Sequence, residues 1–328
     1  MPEKPKLAMY WASSCGGCEI SVVNLHEKLL ELDAHFDFFF CPCLLDTKVE
    51  DLRALPDGGL AVTWFNGAIR TEENEAMARL LRAKSQLLIA YGACAASGGI
   101  PALSNLHCRA EHMRSIYLDG PTLDNAAGVV PQVRTEMAEG TLELPAFFAT
   151  VKTLAQVVEV DFFLPGCPPE PHQIWGVVQA LIQGAPLPAK GSTLGRGRST
   201  VCQECARTRQ DKAVKKFYRS YEIELDRETC LLEQGLVCMG VATRDGCGAL
   251  CPQVNMPCTG CYGAPEGVLH QGAKMIAAVG SVLDVGAYAG LSEADAADKT
   301  DAILDTLPDL AGTFSRYTLG TSNSRRAK

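Results

Sequence analysis

The chain has 328 residues, a formal net charge of −8 at pH 7, 47% hydrophobic residues and 21% charged residues. These values are typical of a globular protein of about two domains, and the acidic balance disfavours nucleic acid and anionic membrane surfaces as main partners. The N-terminal residues show neither a long apolar stretch nor a twin-arginine pair, and no apolar run reaches the length of a membrane span. We therefore expect a cytoplasmic protein without a membrane span.

The first half of the chain alternates strand-like and helix-like segments, as doubly wound α/β folds do. Strands are predicted at residues 6–12, 36–40, 60–65, 86–91 and 159–164. Helices are predicted at 19–32, 72–83, 146–157 and 172–182, with a polar insertion at about 104–140. The sequence thus predicts α/β architecture, with a flavodoxin-like parallel sheet in residues 1–185.

The second half differs in composition. Residues 186–200 are rich in Gly, Pro and basic residues, which is typical of a linker. Residues 201–265 are short segments broken by Gly and Pro, and we expect this irregular domain to depend on bound metal for its fold. Residues 266–328 are predicted to form C-terminal helices, at 267–289 and from Ser292 to about Leu307, and a tail that packs on a partner.

Fifteen cysteines are the most informative feature of the composition. In a reducing compartment, such residues are metal ligands or redox groups more often than disulfides. Four of them follow the carboxyl ends of predicted strands: Cys15, Cys18, Cys94 and Cys167. Because the carboxyl ends of parallel strands lie at one edge of a sheet, we expect these four thiols to converge there. Four thiolates are a complete ligand set for an iron–sulfur cluster.

Eight further cysteines lie between residues 202 and 261. They are Cys202, Cys205, Cys230, Cys238, Cys247, Cys251, Cys258 and Cys261. Two CxxC pairs and four more thiols match two four-cysteine sites, and Pro252 directly follows one of the cysteines, as it does in many iron–sulfur motifs. Zinc ribbons also use four cysteines, usually as CxxC pairs that are closer together, and disulfides would require export. Iron–sulfur clusters are favoured, while zinc and disulfides stay open at this point.

Three cysteines remain outside these sets. Cys41 and Cys43 end the second predicted strand, and Cys108 lies in the polar insertion. Since four ligands are already available at the sheet edge, we interpret these three as structural thiols or bystanders.

Taken together, the motifs resemble those of the small, electron-transferring subunit of NiFe hydrogenases. The resemblance is strongest to the cytoplasmic methyl-viologen-reducing type that works with heterodisulfide reductase, and it covers about residues 5–317. It is carried by Cys15-Gly16-Gly17-Cys18, Gly67-Ala68-Ile69-Arg70, Gly92-Ala93-Cys94, Pro165-Gly166-Cys167-Pro168-Pro169 and the block Cys230–Cys261.

The resemblance implies three iron–sulfur clusters. The proximal 4Fe-4S cluster would use Cys15, Cys18, Cys94 and Cys167, and the distal cluster would use Cys202, Cys205, Cys230 and Cys238. The medial cluster would use Cys247, Cys258 and Cys261, and Cys251 is available as a fourth ligand. The chain departs from many relatives in having Cys202 where they have His and Cys251 where they have Pro. The second departure predicts a 4Fe-4S rather than a 3Fe-4S medial cluster.

The resemblance also implies the role and the partners. It predicts an oxidoreductase subunit that receives electrons from hydrogen oxidation at a NiFe large subunit. The electrons would pass to an acceptor subunit, either a 2Fe-2S delta-type protein or a heterodisulfide-reductase-like flavin complex, and the assembly would be a dimer of multi-subunit complexes. The alternatives are a complex-I-like oxidoreductase subunit, which would resemble residues 1–185 only, and a zinc-stabilised interaction protein.

Glu19, which directly follows Cys18, allows two interpretations. An exposed carboxylate in the first turn of a helix is stabilised by the helix dipole. The alternative is a carboxylate that tunes the proximal cluster or moves protons at the large-subunit interface.

Overall fold

The computed structural model describes residues 3–195, 197–210 and 213–322. It divides the chain into two compact units, each with a core of its own. The first unit contains the described residues up to Leu194 together with 319–322, and the second runs from Gly195 to Thr318. The division falls inside the segment 186–200 that the sequence marks as a linker. None of the described helices is both long and apolar enough to cross a membrane.

The first unit is built on ten strands. They are β1 (Lys6–Trp11), β2 (Asp37–Phe40), β3 (Leu60–Asn66), β4 (Ile69–Thr71), β5 (Ser85–Tyr91), β6 (Arg134–Met137), β7 (Gly140–Glu143), β8 (Phe147–Lys152), β9 (Phe162–Leu164) and β10 (Ser192–Thr193). Six of them form a parallel sheet in the order β10-β9-β5-β3-β1-β2. Apart from the edge strand β10, this is the strand order of flavodoxin-like folds. The predicted fold class is confirmed.

The described helices are distributed over both units. They are α1 (Gly17–Val23), α2 (Lys28–His35), α3 (Val49–Ala54), α4 (Glu72–Lys84), α5 (Gly92–Ser97), α6 (Arg109–Tyr117), α7 (Pro171–Ile182), α8 (Val201–Glu204), α9 (Leu250–Gln253), α10 (Gln271–Val282), α11 (Glu293–Leu304) and α12 (Leu310–Phe314). Ser292 caps α11, since its Oγ accepts the backbone N–H of Asp295 at 3.2 Å.

Both faces of the parallel sheet are buried, because side chains alternate between two apolar clusters. On β3, Trp64 lies in one cluster and Phe65 in the other. Trp64 stacks on Tyr91 of β5, with ring centroids 5.6 Å apart. Truncating such a fully buried aromatic side chain to alanine costs about 3–5 kcal/mol. This rigid sheet fixes the loops that follow its strands.

Two predicted helices are wrong. The helix expected at 19–32 is interrupted between α1 and α2, where His26 adopts a left-handed conformation with φ 54°. The break allows Leu25 and Leu32 both to reach the core. The segment expected to be helical at 146–157 is instead β8, followed by a short 3-10 helix at Leu154–Gln156. Its aromatic and β-branched residues favour a strand, and β8 pairs antiparallel with β4.

The second unit has more core than its composition predicts. Buried residues from the cysteine-rich segment, such as Phe217 and Met239, pack against residues of the C-terminal helices. Met275 and Val279 of α10 and Phe314 of α12 are among them. Residues that were predicted to belong to a C-terminal tail therefore complete this unit. That other residues of 266–328 pack on a partner stays a prediction.

Candidate metal centres

The loop after β1 carries the first two thiols of the sheet edge. Gly16 adopts φ 82° and lies against Trp11, so that a Cβ at Gly16 would come within 2.9 Å of the indole ring. This turn starts α1 at Gly17, whose backbone N–H points at Cys15 Sγ from 3.4 Å. Cys15 is exposed, whereas Cys18 is buried at the base of α1.

Cys94 and Cys167 reach the same place from other strands. Cys94 lies in α5, directly after β5, and Cys167 follows β9. Burial raises the pKa of Cys94 to about 12, with Cys167 and Cys15 contributing. Burial also raises the pKa of Cys18, and the other three thiols raise it further. The structure therefore brings the four thiols together, as the sequence predicts.

The raised pKa values indicate that these thiols need a nearby positive charge in order to ionise at neutral pH. At neutral pH, buried thiols keep their protons unless a nearby cation compensates the thiolate charge. A metal ion supplies that compensation and displaces the protons. The chemistry of the donor set thus fits a thiolate-bound metal group.

Two glycines leave room beside the buried thiols. A Cβ at Gly92, which has φ 83°, would lie 2.5 Å from Cys18 Sγ. A Cβ at Gly99, with φ 54°, would lie 2.6 Å from Cys94 Sγ. Since any larger residue would displace the sulfur atoms, these positions keep the thiols free to face a shared ligand.

Within the described ranges, no three Cys, His, Asp or Glu side chains converge closely enough to hold one ion. A cluster of several irons is wider than one ion, so its four thiolates stand farther apart than the ligands of a single ion.

Glu19 is buried beside this site, which excludes the interpretation of an exposed first-turn carboxylate. Asn66 Nδ2 lies 2.8 Å from Glu19 Oε1, 2.9 Å from Oε2 and 2.9 Å from Ser14 Oγ. Burial raises the pKa of the Glu19 carboxyl, although the Asn66 amide opposes the shift. We did not predict a role for Asn66 from the sequence. Its position at the carboxyl end of β3 was the available signal, the same one that located the cysteines.

Four thiols of the second unit line one cavity. This cavity is bounded by Cys202, Cys205, Cys230 and Cys238, together with Arg207 and apolar neighbours. Burial raises the pKa of Cys202 to about 12, with Cys238 and Cys230 contributing. Burial likewise raises the pKa of Cys238 to about 11. The structure therefore groups the same four residues that the family resemblance implies for a distal cluster; that they hold one stays a prediction.

Arg207 ties together the segments around this cavity. Its guanidinium donates to the backbone oxygens of Pro252, Asp226 and Thr229 at 3.0, 2.8 and 2.9 Å, and to Asn255 Oδ1. Thr229 directly precedes Cys230, and Pro252 directly follows Cys251. The only signal for Arg207 in the sequence is its position two residues after Cys205.

The remaining four thiols are grouped as two pairs. Burial raises the pKa of Cys247, with Glu204 and Cys251 contributing. Burial also raises the pKa of Cys258, with Cys238 and Cys261 contributing. The Cys258 backbone N–H donates to Cys238 Sγ at 3.3 Å, so this pair is in direct contact with the four thiols that line the cavity. That all four medial thiols share one cluster stays a prediction.

The other three cysteines are Cys41 and Cys43, which follow β2, and Cys108. Cys41 is buried in the core of the first unit, and its Sγ lies 3.5 Å from that of Cys43, which is exposed. Burial raises the pKa of Cys41 to about 12, with Cys43 contributing. Cys108 precedes α6, where its backbone N–H donates to Glu111 at 2.7 Å.

Comparison with known proteins identifies the family. The chain is 38% identical over 322 residues to the iron-sulfur subunit of the F420-non-reducing hydrogenase of Archaeoglobus profundus, covering 96% of each chain. This chain belongs to the family of F420-non-reducing hydrogenase iron-sulfur subunits. The family resemblance inferred from the motifs is confirmed.

Other similarities agree with this hydrogenase subunit. The corresponding protein of the F420-non-reducing hydrogenase of Methanothermobacter marburgensis is 36% identical, with 97% of this chain and 96% of the relative covered. Residues 15–181 match the family model described as NADH ubiquinone oxidoreductase, 20 Kd subunit. A chain of the [NiFeSe] hydrogenase from Desulfovibrio vulgaris Hildenborough has a TM-score of 0.50 at 18% identity, with 81% of this chain and 95% of that chain covered. At that identity, the last similarity bears on the fold alone.

For the hydrogenase subunit, the family and the number of cysteines point to iron–sulfur clusters as its cofactors.

Proposed function

We propose that this subunit passes electrons from hydrogen oxidation at a separate NiFe large subunit to an acceptor module, through three 4Fe-4S clusters. The observation that carries the proposal is the convergence of Cys15, Cys18, Cys94 and Cys167 from three separate loops at one edge of the sheet. Iron–sulfur clusters, when bound, supply one-electron carriers whose potentials are set by their surroundings. The large subunit carries out the catalysis.

The chain's own residues position the carriers and control their surroundings. The sheet edge would hold the proximal cluster, with Cys18 and Cys94 buried and Cys15 and Cys167 exposed toward a partner. The cavity that Arg207 lines would hold the distal cluster, on Cys202, Cys205, Cys230 and Cys238. A cation next to an anionic cluster favours the reduced state.

The medial and distal carriers would be close neighbours. The hydrogen bond from Cys258 N–H to Cys238 Sγ joins a proposed medial ligand to a proposed distal ligand. The medial set would be completed by Cys247, Cys251 and Cys261. A direct link between two ligand sets supports carriers arranged in series within the second unit.

The acceptor module would dock in the second unit, near the distal site. We propose a heterodisulfide-reductase-like flavin complex or a 2Fe-2S delta-type subunit as the acceptor. We also propose that the protein works in the cytoplasm as part of a dimer of multi-subunit complexes. The relative from Archaeoglobus profundus is named F420-non-reducing, which supports an acceptor other than F420.

A complex-I-like role is the alternative enzyme function. The matching family model ends at residue 181, before the cysteine-rich unit. The hydrogenase relatives, by contrast, cover 96–97% of the chain. The hydrogenase assignment is the one that accounts for the eight cysteines after residue 200. A zinc-stabilised interaction protein would require one ion per four-cysteine site and leaves the buried carboxylate at the sheet edge without a role.

The test uses the intact complex with Cys167→Ser. We expect hydrogen–deuterium exchange at the large subunit to persist, because it requires no electron carrier, while hydrogen-dependent dye reduction falls at least about tenfold. Cys108→Ser is the matched control and should retain both activities. If dye reduction in the Cys167→Ser complex equals that of the wild type, electrons do not leave through this edge and the proposal is wrong.

A further inference from the structure

Arg70 is a buried cation with no counter-ion among the residues that the structure describes. Only 8% of the residue is exposed, although arginine is almost never buried unless it is paired. Among the atoms that the structure describes, its Nη1 has no hydrogen-bond partner, and no described salt bridge involves its guanidinium. Burial lowers the pKa of Arg70, which is the direction expected of a cation that lacks compensation.

A second arginine lies beside it and adds to the unbalanced charge. Arg109 lowers the pKa of Arg70 further. Both side chains meet Phe147, since Arg70 Cζ lies 5.6 Å from its ring centroid and Arg109 Nη1 donates to its backbone oxygen at 3.0 Å. The aromatic ring offsets little of the desolvation cost of a guanidinium. The pair is therefore complementary to an anion that the chain itself does not supply.

The backbone holds Arg70 at the edge of the sheet where the proximal thiols lie. Its own N–H donates to Asn74 Oδ1 at 3.2 Å, which fixes β4 to the start of α4. Two residues earlier, Ala68 bonds to Ser13 in both directions and packs in the same apolar cluster as Cys94. The guanidinium is thus positioned by the same segments that position the thiols.

We propose that Arg70 and Arg109 bind a carboxylate that the hydrogenase large subunit presents at this edge. Guanidinium groups recognise carboxylates through paired hydrogen bonds, and burial of such a pair at an interface makes it strong and selective. The inference rests on the proposed function, since it takes the large subunit as the partner at the sheet edge. It deepens that function by naming a residue pair that selects the partner.

The experiment compares Arg70→Gln with wild type in the intact complex. The dissociation constant for the large subunit, measured by dilution at several salt concentrations, should rise at least about 30-fold, with a flatter dependence on salt. The iron content and the thermal unfolding of the variant subunit should match wild type. Arg79→Gln, on the exposed side of α4 and paired with Glu75, is the control and should bind as wild type does.

Other outcomes overturn the proposal. Unchanged association of Arg70→Gln would show that no carboxylate of the partner is bound there. Loss of iron in proportion to loss of association would show a structural role instead. Millimolar acetate or sulfate could also stabilise the free wild-type subunit but not Arg70→Gln, while association with the large subunit is the same in both. In that case the two arginines bind a small anion instead of the partner's carboxylate. A wild-type subunit that binds no large subunit would instead refute the proposed function.

If Arg70→Gln does not fold, a variant of Arg109, the exposed arginine of the pair, tests the proposal instead. Arg109 lies on the surface at the start of α6, so Arg109→Gln is expected to fold. It should weaken association severalfold and reduce the salt dependence, with full iron content. Wild-type affinity of Arg109→Gln would then contradict the proposed pair.

Discussion

Asn66 donates from Nδ2 to both carboxylate oxygens of Glu19, at 2.8 and 2.9 Å, and thereby joins the carboxyl end of β3 to α1, the helix that follows β1. These two strands flank the point at which the strand order of the sheet reverses, where doubly wound folds bind their ligands. The bond also holds a carboxylate next to Cys18. Glu19 is therefore placed to influence whatever the proximal thiols bind.

Glu19→Gln should raise the reduction potential of the proximal cluster. A carboxylate near a cluster disfavours the added electron, so removal of its charge shifts the potential upward by tens of millivolts, on the order of a partly screened Coulomb interaction. The amide retains the size of the side chain and one acceptor for Asn66. Potentiometric EPR of the anaerobic complex measures the shift.

The pH dependence gives a second readout of the same variant. Because burial raises the pKa of Glu19 above its ordinary value of 4.5, the carboxyl loses its proton at a higher pH than an exposed one. The wild-type potential should fall as pH rises through that pKa, and the Glu19→Gln potential should not. Equal pH profiles would mean that Glu19 does not act on the proximal cluster.

Gly92→Ala should remove the proximal cluster while leaving the sheet folded. The new Cβ would lie 2.5 Å from Cys18 Sγ on a backbone with φ 83°, so the thiol must move away. We expect a loss of about four irons per chain, the content of one cluster. Gly176→Ala in α7 is the control, because a Cβ there meets open space among the described atoms. Iron analysis measures the cluster content of each variant, and circular dichroism measures its fold. Full iron content in Gly92→Ala would show that the cluster does not depend on the space beside Cys18.

Cys251→Pro should convert the medial site from a 4Fe-4S to a 3Fe-4S cluster with a higher potential. Cys251 pairs with Cys247 and is exposed, so its loss removes one ligand without opening the core. The oxidised variant should show a new 3Fe-4S EPR signal and about one iron fewer per chain. Absence of that signal would mean that Cys251 is not a ligand.

Asp161 should govern the acid stability of the first unit. Burial opposes ionisation of this carboxyl, but hydrogen bonds from Arg82, Lys190 and the Leu88 N–H outweigh it and lower the pKa below 3.8. The stabilisation is therefore present above pH 3.8 and is lost as pH falls through the lowered pKa.

Asp161→Asn should cost about 3 kcal/mol of unfolding free energy at pH 7, as expected when one partner of a buried ion pair is removed. Thermal or urea unfolding between pH 7 and about pH 3 measures the effect. Lys190→Gln should cost less than about 1 kcal/mol, because Lys190 is exposed. Equal losses of unfolding free energy in the two variants would contradict the role assigned to Asp161.

Much of the fold could be predicted because its signals are local. The apolar runs that became β1, β5 and β9 end in glycine-bearing loops, and the thiols that follow them converge wherever the strands are parallel. By contrast, β8 is short and pairs with β4, which lies far away in the sequence. Its aromatic and β-branched residues favour a strand, but the apolar spacing of so short a segment does not distinguish a strand from a helix until the partner strand is known.

The polar partners of the site could not be predicted for the same reason. Asn66 and Glu19 are 47 positions apart, and only the sheet places them in contact. Arg207 and Asn255 are 48 positions apart in an irregular unit without a repeating pattern. Burial, which determines the pKa of Glu19 and the cost of leaving Arg70 unpaired, is a property of the packed molecule and is not visible in the sequence.

The metal content of the subunit, isolated under anaerobic conditions, tests the central claim most directly. Three 4Fe-4S clusters predict about twelve irons and about twelve acid-labile sulfides per chain, with EPR signals that develop on reduction. An iron-free, colourless subunit, or one that carries about two zinc ions instead, would contradict the account.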